Sequence, residues 1–158
     1  GRAEEDQNTM ARVTATNTTV IEAPVEAVTA AIADYAGVRP RIQPEQFSAY
    51  RLIEGGQGEG TVAAWHLQAT KKRSRDVKVS VTVEQASGHW SLVEKDANST
   101  MATTYTVREA TGGSLVEMTT SWEGATGVGG FFERTFAPGG LKKIQHELLS
   151  NLAADLKA

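Results

Sequence analysis

The chain has no cysteine, which excludes disulfides, thiolate nucleophiles and cysteine-ligated zinc or iron–sulfur centres together. That absence also fits a reducing compartment, and the cytoplasm is the expected location. No apolar run approaches the ~20 residues that cross a bilayer, so stable membrane insertion is not expected. Neither sign of charge dominates. With 16 Lys and Arg against 19 Asp and Glu, the net charge of -3 sets up no field that would draw nucleic acid, and none is expected as a partner. Histidine is scarce too: His66, His89 and His146 show no metal-ligand spacing, so neither a metal site nor a cofactor is expected.

What is present suits one domain. A chain of 158 residues can bury one sizeable core and is short for two. Residues 1–10 are polar and acidic without an apolar segment and read as a disordered N-terminal tail, leaving 11–158 as a single domain. Arg12 to Ile21 is rich in β-branched residues and predicts a strand. Pro24 then stands at a helix start, with Glu26 in the positive first turn and Val25, Val28, Ile32 and Tyr35 at helical spacing. Gly37, Pro40 and Pro44 interrupt this pattern, so residues 36–46 form a loop or a second short helix.

From Phe47 onward the period is two. Strands are predicted over 47–54, 61–70, 76–85, 90–94, 101–108 and 115–123, with turns at GGQGEG, KKRSR, Ser87-Gly88, 96–99 and Gly112-Gly113. The clearest alternation sets Val77, Val79, Val81 and Val83 against Lys78, Ser80, Thr82 and Glu84. After a Gly-rich stretch, Leu141, Ile144, Leu148, Leu152 and Leu156 fall on one stripe of a long final helix, which Pro138, Gly139 and Gly140 precede or kink. The fold class is α+β: a curved antiparallel sheet of six to seven strands wrapped around a long C-terminal helix, with one or two short helices after the first strand.

One long helix is narrower than such a sheet, and many inward positions are valine, alanine or threonine, so an apolar hollow is expected between them. By alternation its larger wall residues are Trp65, Leu67, Met101, Tyr105, Met118 and Trp122, joined by Ile144 and Leu148 from the helix; Val79, Val81, Thr103 and Thr120 share the same face.

The segment VIEAPVEAVTAAIADY, followed by DYAGVRPRI, EGGQGEGTV and the final amphipathic helix, resembles the START-like (SRPBCC) superfamily, also called the polyketide cyclase/dehydrase and lipid-transport superfamily. The resemblance runs from about Val13 to Leu156. It implies a helix-grip fold with a cavity for a hydrophobic ligand, and it implies no single reaction, because members include binders, transporters and cyclases. The chain departs from the pattern at Arg39, Pro40 and Arg41, where many members carry a tryptophan.

Several features invite sharper readings. GGQGEG lacks the Lys-Ser/Thr and the strand-to-helix setting of a phosphate loop and reads as a turn between strands. Lys71, Lys72, Arg73 and Arg75 have no interleaved aromatics and read as a solvated hairpin tip. Glu84, Glu117 and Glu123 fall on the wet face, which leaves Tyr105 as the best inward polar group; His66 alternates outward unless a bulge intervenes. These two are the only, and weak, catalytic candidates. Phe131, Phe132 and Phe136, set among glycines beside Glu133 and Arg134, read equally as an apolar lid touching the ligand or as the first packed turns of the last helix.

The expected function is binding or transport of a small hydrophobic molecule, of lipid, polyketide-like or isoprenoid type, by a monomer or weak dimer. Its polar end would be oriented by Tyr105, Thr103 and either His66 or Arg134. The alternative is a polyketide cyclase or dehydratase using the same hollow. A third reading, an interaction module, predicts a filled interior and an exposed apolar patch on the sheet.

Overall fold

β-Branched side chains favour extended backbone, and the Thr- and Val-rich opening segment forms β1 (Arg12–Ile21). A computed structural model describes residues 12–123 and 138–158. After β1 come α1 (Val25–Ala33) and α2 (Val38–Arg41). Then follow β2 (Phe47–Glu54), β3 (Val62–Thr70), β4 (Arg73–Ala86), β5 (His89–Asp96), β6 (Ala102–Ala110), β7 (Gly113–Glu123) and α3 (Pro138–Lys157). The strands form one antiparallel sheet in the order β1-β7-β6-β5-β4-β3-β2, a meander whose last strand pairs with the first. Irregular register between Ser48 and Arg51, with Ala49 at φ 55, bends the outer strand β2.

Pro24 caps α1, its carbonyl accepting from the amides of Ala27 and Val28, and Val28, Ala31 and Ile32 are buried. The GGQGEG turn closes the other end of this helix: the Gly58 amide donates to the Ala33 carbonyl, and the Gly56 carbonyl accepts from the Tyr35 amide. Gly58 stands at φ 63, where a side chain would strain the backbone. Backbone amides and carbonyls of the turn thus serve the helix end rather than an anion.

The KKRSR segment is not all turn. Only Lys71 and Lys72 make the bend; Arg73 pairs with Thr70 and Arg75 with Leu67 as the first residues of β4. Arg75 shares the inward parity of Val77, and its guanidinium meets the fully buried Asp96 carboxylate at 2.9 Å, so it is no part of a solvated tip.

Pro138, Gly139 and Gly140 are the first turn of a continuous α3, neither a kink nor a preceding loop. Leu141, Ile144, Leu148 and Leu152 are buried on one stripe, and the helix packs against β1 and α1. Gln145 sets its rotation. Its fully buried amide donates to the Ala15 carbonyl and to the Thr120 hydroxyl, and its oxygen accepts from Asn17, so a helix turned by one residue would strand all three groups.

Candidate functional site

Between α3 and the concave face of the sheet, the described residues enclose a hollow of about 40 Å³, room for a few water molecules. It is smaller than the breadth of the sheet suggests, because the side chains of β3, β4 and α3 close in. Leu67, Val77 and Val79 form one wall, Met101 and Met118 another, and Leu141, Ile144 and Leu148 of α3 the third.

Of the residues expected there, Trp65, Leu67, Val79, Met101, Thr103, Tyr105, Met118, Thr120, Ile144 and Leu148 are gathered around the hollow. Val81 and Trp122 are buried but are not among its lining residues. Trp122 sits near the end of β7, where it pairs with Val13 of β1, and Val81 lies farther along β4, where its amide bonds to Thr61. Phe131, Phe132, Phe136 and Arg134 lie outside the described residues. His66 takes the outward facing that alternation assigns; its Nδ1 lies 3.1 Å from Asp76 Oδ1 on the next strand, away from the hollow.

The polar end of the hollow was missed by the sequence reading. Glu94 and Arg39 line it, at 5% and 2% exposure. Arg39 Nη2 donates to Glu94 Oε2 at 2.8 Å and to the Tyr35 hydroxyl at 2.9 Å, while its Nε donates to the Ile32 carbonyl at 2.8 Å. The Tyr35 hydroxyl in turn donates to Glu94 Oε2 at 2.5 Å. The guanidinium also lies 4.4 Å and 4.8 Å from the ring centroids of Tyr35 and Tyr105. Burial opposes its charge, but Tyr105, Tyr35 and Glu94 more than offset that, so its pKa stays above the usual arginine value.

Expecting few inward carboxylates was therefore wrong for β5. The signal was in WSLVEKD: if Trp90 and Leu92 face inward, Glu94 and Asp96 share their face. The position of Arg39 had no such signal, since α2 is a short helix of no clear period. Yet it is here, where the family pattern carries tryptophan, that the chain places its buried cation.

Burial drives the Tyr105 pKa well above that of a free phenol; Arg39 pulls it down and Glu94 raises it further. Tyr105 is thus a neutral phenol at neutral pH. Although Arg39 lies against its ring, the Tyr105 hydroxyl has no partner at hydrogen-bond geometry among the described residues, and neither has the buried Trp65 indole N–H. Such groups invite a polar ligand atom, because an unsatisfied buried donor is costly. Thr103 and Thr120 join the chain of bonds from Gln145, with 2.9 Å between their hydroxyls.

No group of three or more potential metal ligands occurs among the described residues. No helix among them is long and apolar enough to cross a membrane. Among the described residues, the exposed large apolar side chains, Val20 on β1 and Leu52 and Ile53 on β2, stand at opposite edges of the sheet and make no continuous patch.

Residues 10–157 match the family model described as polyketide cyclase / dehydrase and lipid transport. The solution structure of the KanY protein is 50% identical to the chain, covers 94% of it and 100% of its own length, and superposes with a TM-score of 0.84. More distant structures share the fold. Protein CV1439 from Chromobacterium violaceum is 17% identical (92% and 97% coverage, TM-score 0.64). A norcoclaurine synthase from Thalictrum, solved as a point mutant with a transition-state analogue, is 14% identical (95% and 99%, TM-score 0.65). No curated protein matches the sequence.

Proposed function

The chain belongs to the polyketide cyclase/dehydrase and lipid transport family, and from that premise we propose that it binds and carries a small hydrophobic molecule of lipid, polyketide-like or isoprenoid type. The observation that supports this is a hollow, apolar on three sides and polar at one end, with buried donors that no group among the described residues satisfies. Trp65, Leu67, Val79, Met118, Ile144 and Leu148 would hold the apolar body, and Tyr105 with Thr103 its polar end. Admission of a ligand has to widen the hollow, and the unbranched, flexible Met101 and Met118 are the side chains best suited to give way. Shielding ~300 Å² of apolar surface at ~25 cal/mol/Å² supplies roughly 7 kcal/mol before association costs, enough for micromolar affinity.

Native mass spectrometry of protein from its source tests the reading: a small hydrophobe should travel with the wild type and be lost from Leu148→Trp, which fills the hollow. If the two behave alike, or nothing accompanies either, the carrier reading is wrong.

The buried Glu94 carboxylate in the same hollow as Tyr105 favours a second reading, a cyclase or dehydratase that moves protons between these groups and a polyketide-like substrate. The two differ in one measurement. A carrier should lose no more than about tenfold in affinity on Tyr105→Phe, whereas an enzyme using the phenol should lose about 100-fold or more in turnover.

A further inference from the structure

Resting on the carrier reading, we propose that the buried end of the ligand is an uncharged hydrogen-bond acceptor, a carbonyl oxygen received by the Tyr105 hydroxyl, and that the hollow rejects a carboxylate of the same shape.

Supply and demand of hydrogen bonds carry this. Tyr105 lines the hollow at 1% exposure, and its buried hydroxyl has no hydrogen-bond partner among the described residues. Most of the other polar groups around the hollow are bonded within the protein. Thr120 accepts from Gln145 and is bonded to Thr103, and Gln145 is bound on both its amide atoms. Asp96 accepts from Arg75, Ser99 and the amides of Lys78 and Asn98. The atom on offer at Tyr105 is a donor, so the ligand atom it receives is an acceptor.

Charge decides which acceptor. Arg39, the cation lining the hollow, is held by Glu94, Tyr35 and the Ile32 carbonyl. The neighbouring Arg75 is held by Asp96. A ligand carboxylate would find two carboxylates, Glu94 and Asp96, already lining the space and both nearby guanidinium groups paired. It would give up its hydration for a neutral donor and gain no counter-charge. A ketone, quinone or ester carbonyl loses far less on desolvation and takes the same donor.

Three probes of nearly equal shape separate the cases: 2-acetylnaphthalene, 2-ethylnaphthalene and 2-naphthoate, titrated calorimetrically at about neutral pH. The ketone should bind about tenfold more tightly than the ethyl compound, the size of one well-placed neutral hydrogen bond, with naphthoate weakest. Tyr105→Phe should erase the ketone's advantage and leave the ethyl compound unchanged. Because the Tyr105 hydroxyl has no partner at hydrogen-bond geometry among the described residues, this variant should fold. Equal affinities for ketone and ethyl compound, or naphthoate binding tightest, would overturn this inference while leaving the carrier reading intact. Binding of none of the three would remove the carrier reading, and this inference with it.

Discussion

Removing one member of the Arg39–Glu94 pair leaves its partner charged, or forces it to neutralise, in a place with 2% exposure at Arg39 and 5% at Glu94. Breaking a buried, hydrogen-bonded ion pair costs about 3–5 kcal/mol, more than either charge gains from the pair relative to apolar replacements. Glu94→Ala is accordingly expected to lower unfolding free energy by that amount in urea titration, and Arg39→Met combined with Glu94→Leu to recover much of it. A double variant no more stable than Glu94→Ala would mean that the pair is not what holds Tyr35 and Tyr105 in place. At this scale the sequence was half legible. Parity in β5 was enough to turn Glu94 inward once Trp90 and Leu92 were assigned to the core, since the pleat admits no other facing without a bulge. Arg39 was not readable, because what buries it is Tyr35, Glu94 and Tyr105, brought together from the α1–α2 turn, β5 and β6.

Turns decide how the elements join, and two glycines differ sharply in what they bear. At Gly113 (φ 144) an added Cβ would lie 2.1 Å from the Ile21 carbonyl oxygen, so Gly113→Ala has to part β7 from the end of β1. At Gly140, in the exposed first turn of α3, a Cβ meets no described atom within 4 Å. Gly113→Ala should therefore destabilise by about 2 kcal/mol or more, while Gly140→Ala should stabilise by roughly 0.5–1 kcal/mol through helix propensity. Thermal melts of the two variants check both signs.

The end of α1 carries a pH dependence as well. Burial pushes the Asp34 carboxyl up, but hydrogen bonds from the Gly37 amide, Gln57 and the Ala36 amide outweigh it and hold its pKa below the ordinary value. Asp155 is lowered too, chiefly by its hydrogen bond from Arg41. A carboxylate whose pKa is lower in the folded chain binds its proton first in the unfolded one. Its stabilisation is therefore whole above the unfolded pKa of about 3.9 and is lost as pH falls through the folded value. Unfolding followed against pH should show stability declining below about pH 4, and Asp34→Asn should flatten part of that decline. The element boundaries themselves were largely legible, because turn glycines and period-two alternation coincide. The miss at KKRSR came from reading Arg75 as solvent-facing when Asp96, twenty-one residues on, gives it an inward partner.

For the whole molecule, the sequence predicted a hollow without predicting its size, because volume depends on how closely α3 approaches the sheet and not on which residues face inward. At about 40 Å³, the space as it stands is too small for a two-ring compound, so binding requires an opening motion. The geometry suggests where. Leu141, Ile144 and Leu148 in the first half of α3 face the hollow, whereas Leu152 in the second half is fully buried outside its lining. Local opening of one end of a helix requires much less free energy than global unfolding. A chain without cysteine makes the test direct, since a single introduced thiol is the sole site of labelling. Ile144→Cys should react with a thiol reagent well ahead of Leu152→Cys, and 2-acetylnaphthalene should slow the first without protecting the second beyond its effect on overall stability. Equal rates at the two sites, tracking the unfolding rate, would mean that α3 opens only when the whole chain does, and the ligand would then have to reach the hollow by a path that leaves the helix seated.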